Sequence, residues 1–256
     1  MPDGVIPEKA GIILNKSIQN RLFYTVGMPL AGLAGLLLQQ QAFRTGYDEK
    51  NLFLWGNPWT LTLLALCAVS MTALILVTNR SLAEGARYEA LWTGNWLRGG
   101  LGILAGVMLA EDILYSLEPV TAAMKLMGFL AAGSMAACGV CFGLKKRPLW
   151  VLDGIVSLYF ILRLLTGYRM WGSSAHLEQY MFPMLAGAML VLYAFHRAEA
   201  DAGRIRRKKL VISGYGAMLG CFIAAAGGRS VFYLMAVIWI LSTMCSTEEV
   251  RIQKKN

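Results

Sequence analysis

The chain has 256 residues, 57% of them apolar and only 15% charged, with a mean hydropathy of +0.53. Soluble domains run near 45–50% apolar and about 25% charged, so a water-soluble globule of this size is excluded on composition. The formal net charge is +9, but the basic residues sit beside apolar runs, the pattern of membrane-protein loops and not of a nucleic-acid surface.

Residues Met1 to Arg21 lack the apolar core and small-residue cleavage site of a secretory signal, so the first spanning helix is expected to direct insertion. Leu14, Ile18 and Leu22 recur at helical spacing among Lys16, Gln19 and Asn20, which fits either a short surface helix or a solvated tail. A spanning helix needs about 20 apolar residues, because the hydrocarbon core is about 30 Å thick and each residue rises about 1.5 Å. By that measure the sequence predicts eight spans: Leu22 to Gln39, Trp59 to Thr78, Gly99 to Leu117, Val120 to Leu144, Leu149 to Thr166, Tyr180 to Phe195, Leu210 to Ala226 and Ser230 to Met244.

Pro58, Pro119 and Pro148 precede three of these starts, where a missing N–H has no helical partner to lose. Trp55, Trp59, Trp92, Trp96, Trp150 and Trp171 lie near span ends, as amphipathic rings do at headgroup level, whereas Trp239 lies deeper. Cys67, Cys138, Cys141 and Cys221 fall inside apolar runs and Cys245 follows the last, so they read as small buried hydrophobes instead of a disulfide framework.

Orientation follows from Lys and Arg. With the N-terminus inside, every basic residue but Arg44, Lys50, Lys125, Arg163, Arg169 and Arg229 falls in an inner segment. Both termini are therefore expected on the cytoplasmic side of a plasma-type membrane.

Three motifs recur in the same order. Thr45-Gly46-Tyr47 matches Thr166-Gly167-Tyr168; Arg80, Glu84 and Arg87 match Arg197, Asp201 and Arg204; Gly100, Gly102 and Gly106 match Gly214, Gly216 and Gly220. They suggest two four-helix halves, residues 1–146 and 147–256, entering the membrane from the same side as a parallel repeat.

Small residues let helices approach closely in lipid. The pairs Gly102 and Gly106, Gly139 and Gly143, and Gly216 and Gly220 are accordingly expected at helix contacts. Ionisable residues inside spans are the functional candidates, since one at the bilayer centre costs about 2.5–3.5 kcal/mol on insertion scales. Glu111, Asp112, Lys125 and Arg163 fall at a common depth near the outer side, with Glu111 or Asp112 expected to meet Lys125 and with Arg163 nearby. Asp153 lies toward the inner side, too short to reach water, and needs Arg98, Lys145, a polar cavity or a proton. Gly27 and Pro29 in the first span and Pro183 in the sixth are candidate helix breaks of the kind that frame solute sites.

Catalytic constellations are nearly absent. His176 and His196 are expected on opposite faces, and Cys138 with Cys141 forms a C-x-x-C lacking the second pair that zinc requires. Arg204, Arg206, Arg207, Lys208 and Lys209 could hold lipid headgroups. The sequence thus predicts an all-α polytopic bundle without cofactor, metal or nucleic acid. Besides the bilayer, its expected partner is a small solute that it binds or moves, or alternatively a membrane protein, a second copy included, that it anchors or regulates as a non-catalytic subunit.

Overall fold

The computed structural model describes residues 22–46, 57–81, 96–115, 121–146, 148–171, 180–202, 207–227 and 230–244. The surface segment at Leu14 and Ile18, together with Trp55, Glu84, Arg87, Trp92, His176, Arg204, Arg206 and Cys245, lies outside them. The described residues form eight α-helices: α1 Met28–Thr45, α2 Pro58–Ser81, α3 Trp96–Tyr115, α4 Ala122–Gly143, α5 Trp150–Trp171, α6 Met181–Asp201, α7 Arg207–Ala224 and α8 Ser230–Met244. No strand occurs among them, and the all-α bundle expected from the sequence is the fold.

Local chemistry explains the starts. Asn57 caps α2 by accepting from the Trp59 N–H at 3.0 Å, and Pro58 then takes the first helical position, where no donor is needed. Thr121 caps α4, accepting from the Met124 N–H at 3.4 Å. The two candidate breaks turn out differently from expectation. Gly27 ends a π-helical turn, Phe23–Gly27, that runs straight into α1. There the Met28 N–H reaches back to the Phe23 carbonyl, so the chain absorbs Pro29 in a wider turn without interrupting the helix. Pro183 is the third residue of α6, which continues unbroken to Asp201; in a first turn its missing donor leaves no carbonyl stranded.

Among the described residues five helices, α2, α4, α5, α6 and α7, are long and apolar enough to cross a membrane, where the sequence suggested eight. α8 is apolar but only 15 residues long; α1 carries Gln39, Gln40, Gln41 and Arg44 near its end, and α3 carries Arg98, Glu111 and Asp112. The surface is the inverse of a soluble protein's. Leu30, Leu37, Leu61, Val69, Val107, Leu126, Leu165 and others point outward, while Thr78, Arg98, Asp153, Ser157 and Arg197 are buried. Such an apolar exterior fits a membrane protein and needs a solvent other than water.

Successive helices alternate in direction. Residues near the start of α3 meet the end of α4, with Gly99 against Gly143, and the start of α5 meets the end of α6, with Asp153 against Arg197. One end of the bundle, called here the basic end, therefore gathers the starts of α1, α3, α5 and α7 with the ends of α2, α4, α6 and α8. α7 is the central helix, packed on α1, α2, α6 and α8, while α3 packs on α4 and α8, and α5 joins α4 to α6.

The tightest seam lies between α3 and α4. A Cβ on Gly102 would stand 2.8 Å from the Gly139 Cα, and one on Gly106 would stand 2.6 Å from the Ala132 carbonyl oxygen. The glycines are therefore the reason the two backbones touch. In α7 the matching glycines meet other elements: Gly214 faces Met244 of α8, Gly216 faces Met189 of α6 and Met71 of α2, and Gly220 faces Ala186 of α6. Neighbour relations differ likewise between residues 1–146 and 147–256. α6 packs along α7, whereas α2 packs on α1 and α7 and shares no comparable interface with α3 among the described residues.

Candidate functional site

Asp153, the fourth residue of α5, is wholly enclosed. Its Oδ2 accepts from Arg197 Nε at 3.2 Å, with side-chain exposures of 0% and 1%, and its Oδ1 lies 3.8 Å from the Cys138 thiol of α4. The described partner is thus Arg197, a cation the sequence did not single out for it. Lys145 is exposed because the chain turns through a left-handed residue there, φ 57°. Arg98 is buried beside this group and stacks on Phe142, 3.9 Å from the ring centroid. One helical turn beyond Arg197, Asp201 is buried as well, with Asp153, Arg197 and Arg98 the charged groups around it. Two acids and two guanidiniums from α3, α5 and α6 therefore occupy one buried cluster at the basic end.

Sequence reading missed Arg197 and Asp201 because it ended the sixth span at Phe195 and counted Arg197 as a loop charge. The available signal was local. Ala198 and Ala200 favour continued helix, and Arg197 with Asp201 at i, i+4 forms one face of that extra turn.

Toward the other end, Arg163 of α5 donates from Nη1 to Asp112 Oδ2 of α3 at 2.9 Å. The same nitrogen donates to Tyr159 Oη at 2.9 Å. Asp112 and Arg163 are brought together as part of the expected cluster, but Glu111 and Lys125 are not. Both are exposed, and neither makes an ion pair among the described residues. On α3 the carboxylate at 112 points inward and the one at 111 outward, since adjacent helical positions are about 100° apart and cannot share a face. Beside Arg163 lies a cavity of about 30 Å³ between α5, α6 and α8, room for a water or two.

Aromatic rings connect the two ion pairs. Arg163 sits 3.5 Å above Phe232; Phe232 meets Phe160 at 6.0 Å; Phe160 meets Trp239 at 5.5 Å; and Arg197 lies 4.7 Å over Trp239. Each guanidinium thereby gains the face of a ring besides its carboxylate, a favourable pairing where water is excluded. Between the pairs the bundle interior is packed with ring carbon.

The remaining candidates lie apart from this column. His196 is half-buried and hydrogen-bonded to Ser213 Oγ at 3.0 Å. Among the described residues no cluster of His, Cys, Asp or Glu converges as metal ligands would. Of the basic run, Arg207 opens α7, Lys208 is half-buried and Lys209 exposed.

Fold and site together define a helical bundle with an apolar exterior, fit for a membrane, with the charge pairs of Asp153 with Arg197 and Asp112 with Arg163 between its helices. Compared with known proteins, the chain matches no family profile, no curated protein and no solved structure.

Proposed function

We propose that this protein binds and moves a small solute within its helical bundle and catalyses no reaction. The observation that carries the reading is the buried cluster of Asp153, Arg197, Asp201 and Arg98. Ionisable groups within a membrane are expensive, face bundle interiors and mark solute or proton pathways. Three polar atoms of the cluster and its neighbour, Arg197 Nη1, Asp201 Oδ2 and Trp239 Nε1, are buried without a hydrogen-bond partner among the described residues. Each such group costs about 1–3 kcal/mol unless something completes it, and a hydrogen-bonding solute arriving at the basic end would do so.

We further infer a plasma-type membrane with both termini cytoplasmic, on the strength of the basic residues gathered at one end. Reconstitution followed by a solute-dependent thermal-shift screen tests the function, because a ligand that binds only the native form raises its stability. Asp153→Asn should abolish the shift produced by the best solute and the uptake of that solute into proteoliposomes. If no solute shifts the unfolding temperature, or the variant responds as the wild type does, the reading fails.

A non-catalytic subunit is the second reading, and a separate observation favours it. A Cβ added at Gly100, Gly133, Gly143 or Gly154 would meet nothing within 4 Å, so α3, α4 and α5 present small residues outward, where a partner's helix could approach. Stoichiometric co-purification of a second protein, lost on Gly133→Leu, would support this reading.

A further inference from the structure

The turn that closes α4 puts a lysine where the backbone favours glycine. The Lys145 N–H bonds back to the Phe142 carbonyl at 3.2 Å and the Lys146 N–H to the Cys141 carbonyl at 2.8 Å, and Lys145 itself is left-handed, φ 57°. In that conformation a Cβ crowds the following carbonyl oxygen, so helices that end this way usually place glycine there. Nothing within the fold offsets the strain. The side chains of Lys145 and Lys146 are exposed, and neither enters an ion pair among the described residues. Strain of this kind marks a position held for some other purpose.

The surroundings of the two lysines are apolar and open. Leu144 precedes them and Leu149 and Trp150 follow, with exposures of 62%, 69% and 57%. A Cβ added at Gly143 would meet nothing within 4 Å. Water is a poor solvent for these apolar side chains, and an indole at a helix start beside cations is the usual arrangement at headgroup depth. A soluble anion would answer the lysines and leave the leucines bare. A zwitterionic lipid would cover the leucines and leave the positive charge unanswered. Charge and apolar surface are satisfied together by a molecule with an anionic head and apolar tails.

We propose that the turn between α4 and α5 binds an anionic phospholipid, its phosphodiester paired with the ammonium groups of Lys145 and Lys146 and its acyl chains against Leu144 and Leu149. The strain at Lys145 is then the cost of keeping two adjacent cations at the level of the headgroups. This surface site is separate from the enclosed Asp153 cluster that carries the solute reading, and either can fail without the other.

The test is thermal unfolding of the full chain in dodecyl maltoside, titrated with phosphatidylglycerol or with phosphatidylcholine. Phosphatidylglycerol should raise the unfolding temperature saturably and by more than phosphatidylcholine does, since a ligand of the native form stabilises it. Lys145→Gly and Lys146→Gln should each need about fivefold more phosphatidylglycerol for half the effect, the change expected for one cation lost near an anionic headgroup. Lys145→Arg should titrate like wild type. Lys145→Gly should also start from a higher unfolding temperature in phosphatidylcholine, so that the fold gains from the change while lipid binding loses. The proposal is overturned if the two lipids act alike or if Lys145→Gly and Lys146→Gln titrate like wild type. It is equally overturned if Lys209→Gln, an exposed lysine of α7 at the same end, weakens the effect as much, which would mark a diffuse basic surface. Soluble glycerol phosphate reproducing the shift would overturn it too, by showing a site for free anions with no use for tails.

Discussion

Arg197 reaches Asp153 across the α5 and α6 interface, Nε to Oδ2 at 3.2 Å, with both side chains sealed from the surroundings. The pair ties the beginning of one helix to the end of the next. Breaking a buried pair leaves a charge with nothing to answer it and costs about 3–5 kcal/mol, whereas replacing both members by apolar groups is often neutral. Arg197→Met should therefore unfold well below wild type, and adding Asp153→Leu should recover much of the loss. Thermal unfolding of the two single variants and the double variant checks this. A double variant no more stable than the worse single would show that the pair is not coupled.

The other pair sorts four charged residues into two classes. Asp112→Asn weakens one of the Arg163 hydrogen bonds in a half-buried setting and should cost about 1–3 kcal/mol. Lys125→Met and Glu111→Gln alter exposed side chains and should stay within about 0.5 kcal/mol of wild type. Equal losses at Lys125 and Asp112 would revive the pairing expected from sequence.

Two glycines of α3 should respond in opposite ways. Gly106→Ala drives a methyl to 2.6 Å from a backbone oxygen of α4, and overpacking of that kind costs about 1–3 kcal/mol. Gly100→Ala meets open space and should stabilise the helix by about 0.5–1 kcal/mol. Their relative unfolding temperatures in one detergent decide the matter.

The end of α4 offers a stabilising change. The Lys146 N–H bonds to the Cys141 carbonyl at 2.8 Å and the Lys145 N–H to the Phe142 carbonyl at 3.2 Å, the paired bonds of a Schellman turn with Lys145 in the left-handed position. A side chain there costs about 1 kcal/mol relative to glycine, so Lys145→Gly should raise the unfolding temperature. A fall would mean that the lysine makes contacts worth more than the backbone strain.

Orientation is open to labelling. In a cysteine-free background, Ala122→Cys at the start of α4 should react with an impermeant maleimide from outside the cell, and Lys146→Cys just past its end only after permeabilisation. Reaction of both from one side would refute the crossing of α4, and the reverse pattern would invert the bundle.

Much of the bundle is legible in the sequence because hydropathy is a local property. Apolar runs must satisfy their own amides, so helix is the only local answer, and α8 matches its expected bounds at Ser230 and Met244. Capping and proline placement at Asn57, Pro58 and Thr121 are local too. The α3 and α4 seam was also within reach, since closely spaced glycines on one face announce a close approach. The matched glycines of α7 show where that reasoning stops, because the same spacing serves contacts with α2, α6 and α8.

The sequence by itself determined a chain of apolar helices, their approximate ends, the concentration of basic residues at alternate connections, and that Asp112, Asp153 and Arg163 lie within apolar runs, though not that Arg197 and Asp201 do. Only the tertiary structure decided that Asp153 meets Arg197, that Asp112 faces Arg163 while Glu111 faces outward, and that rings of α5 and α8 fill the space between. The reason is physical: the direction of a side chain around its helix depends on which neighbours that helix packs against. Those neighbours come from distant parts of the chain, 44 residues apart for Arg197 and Asp153.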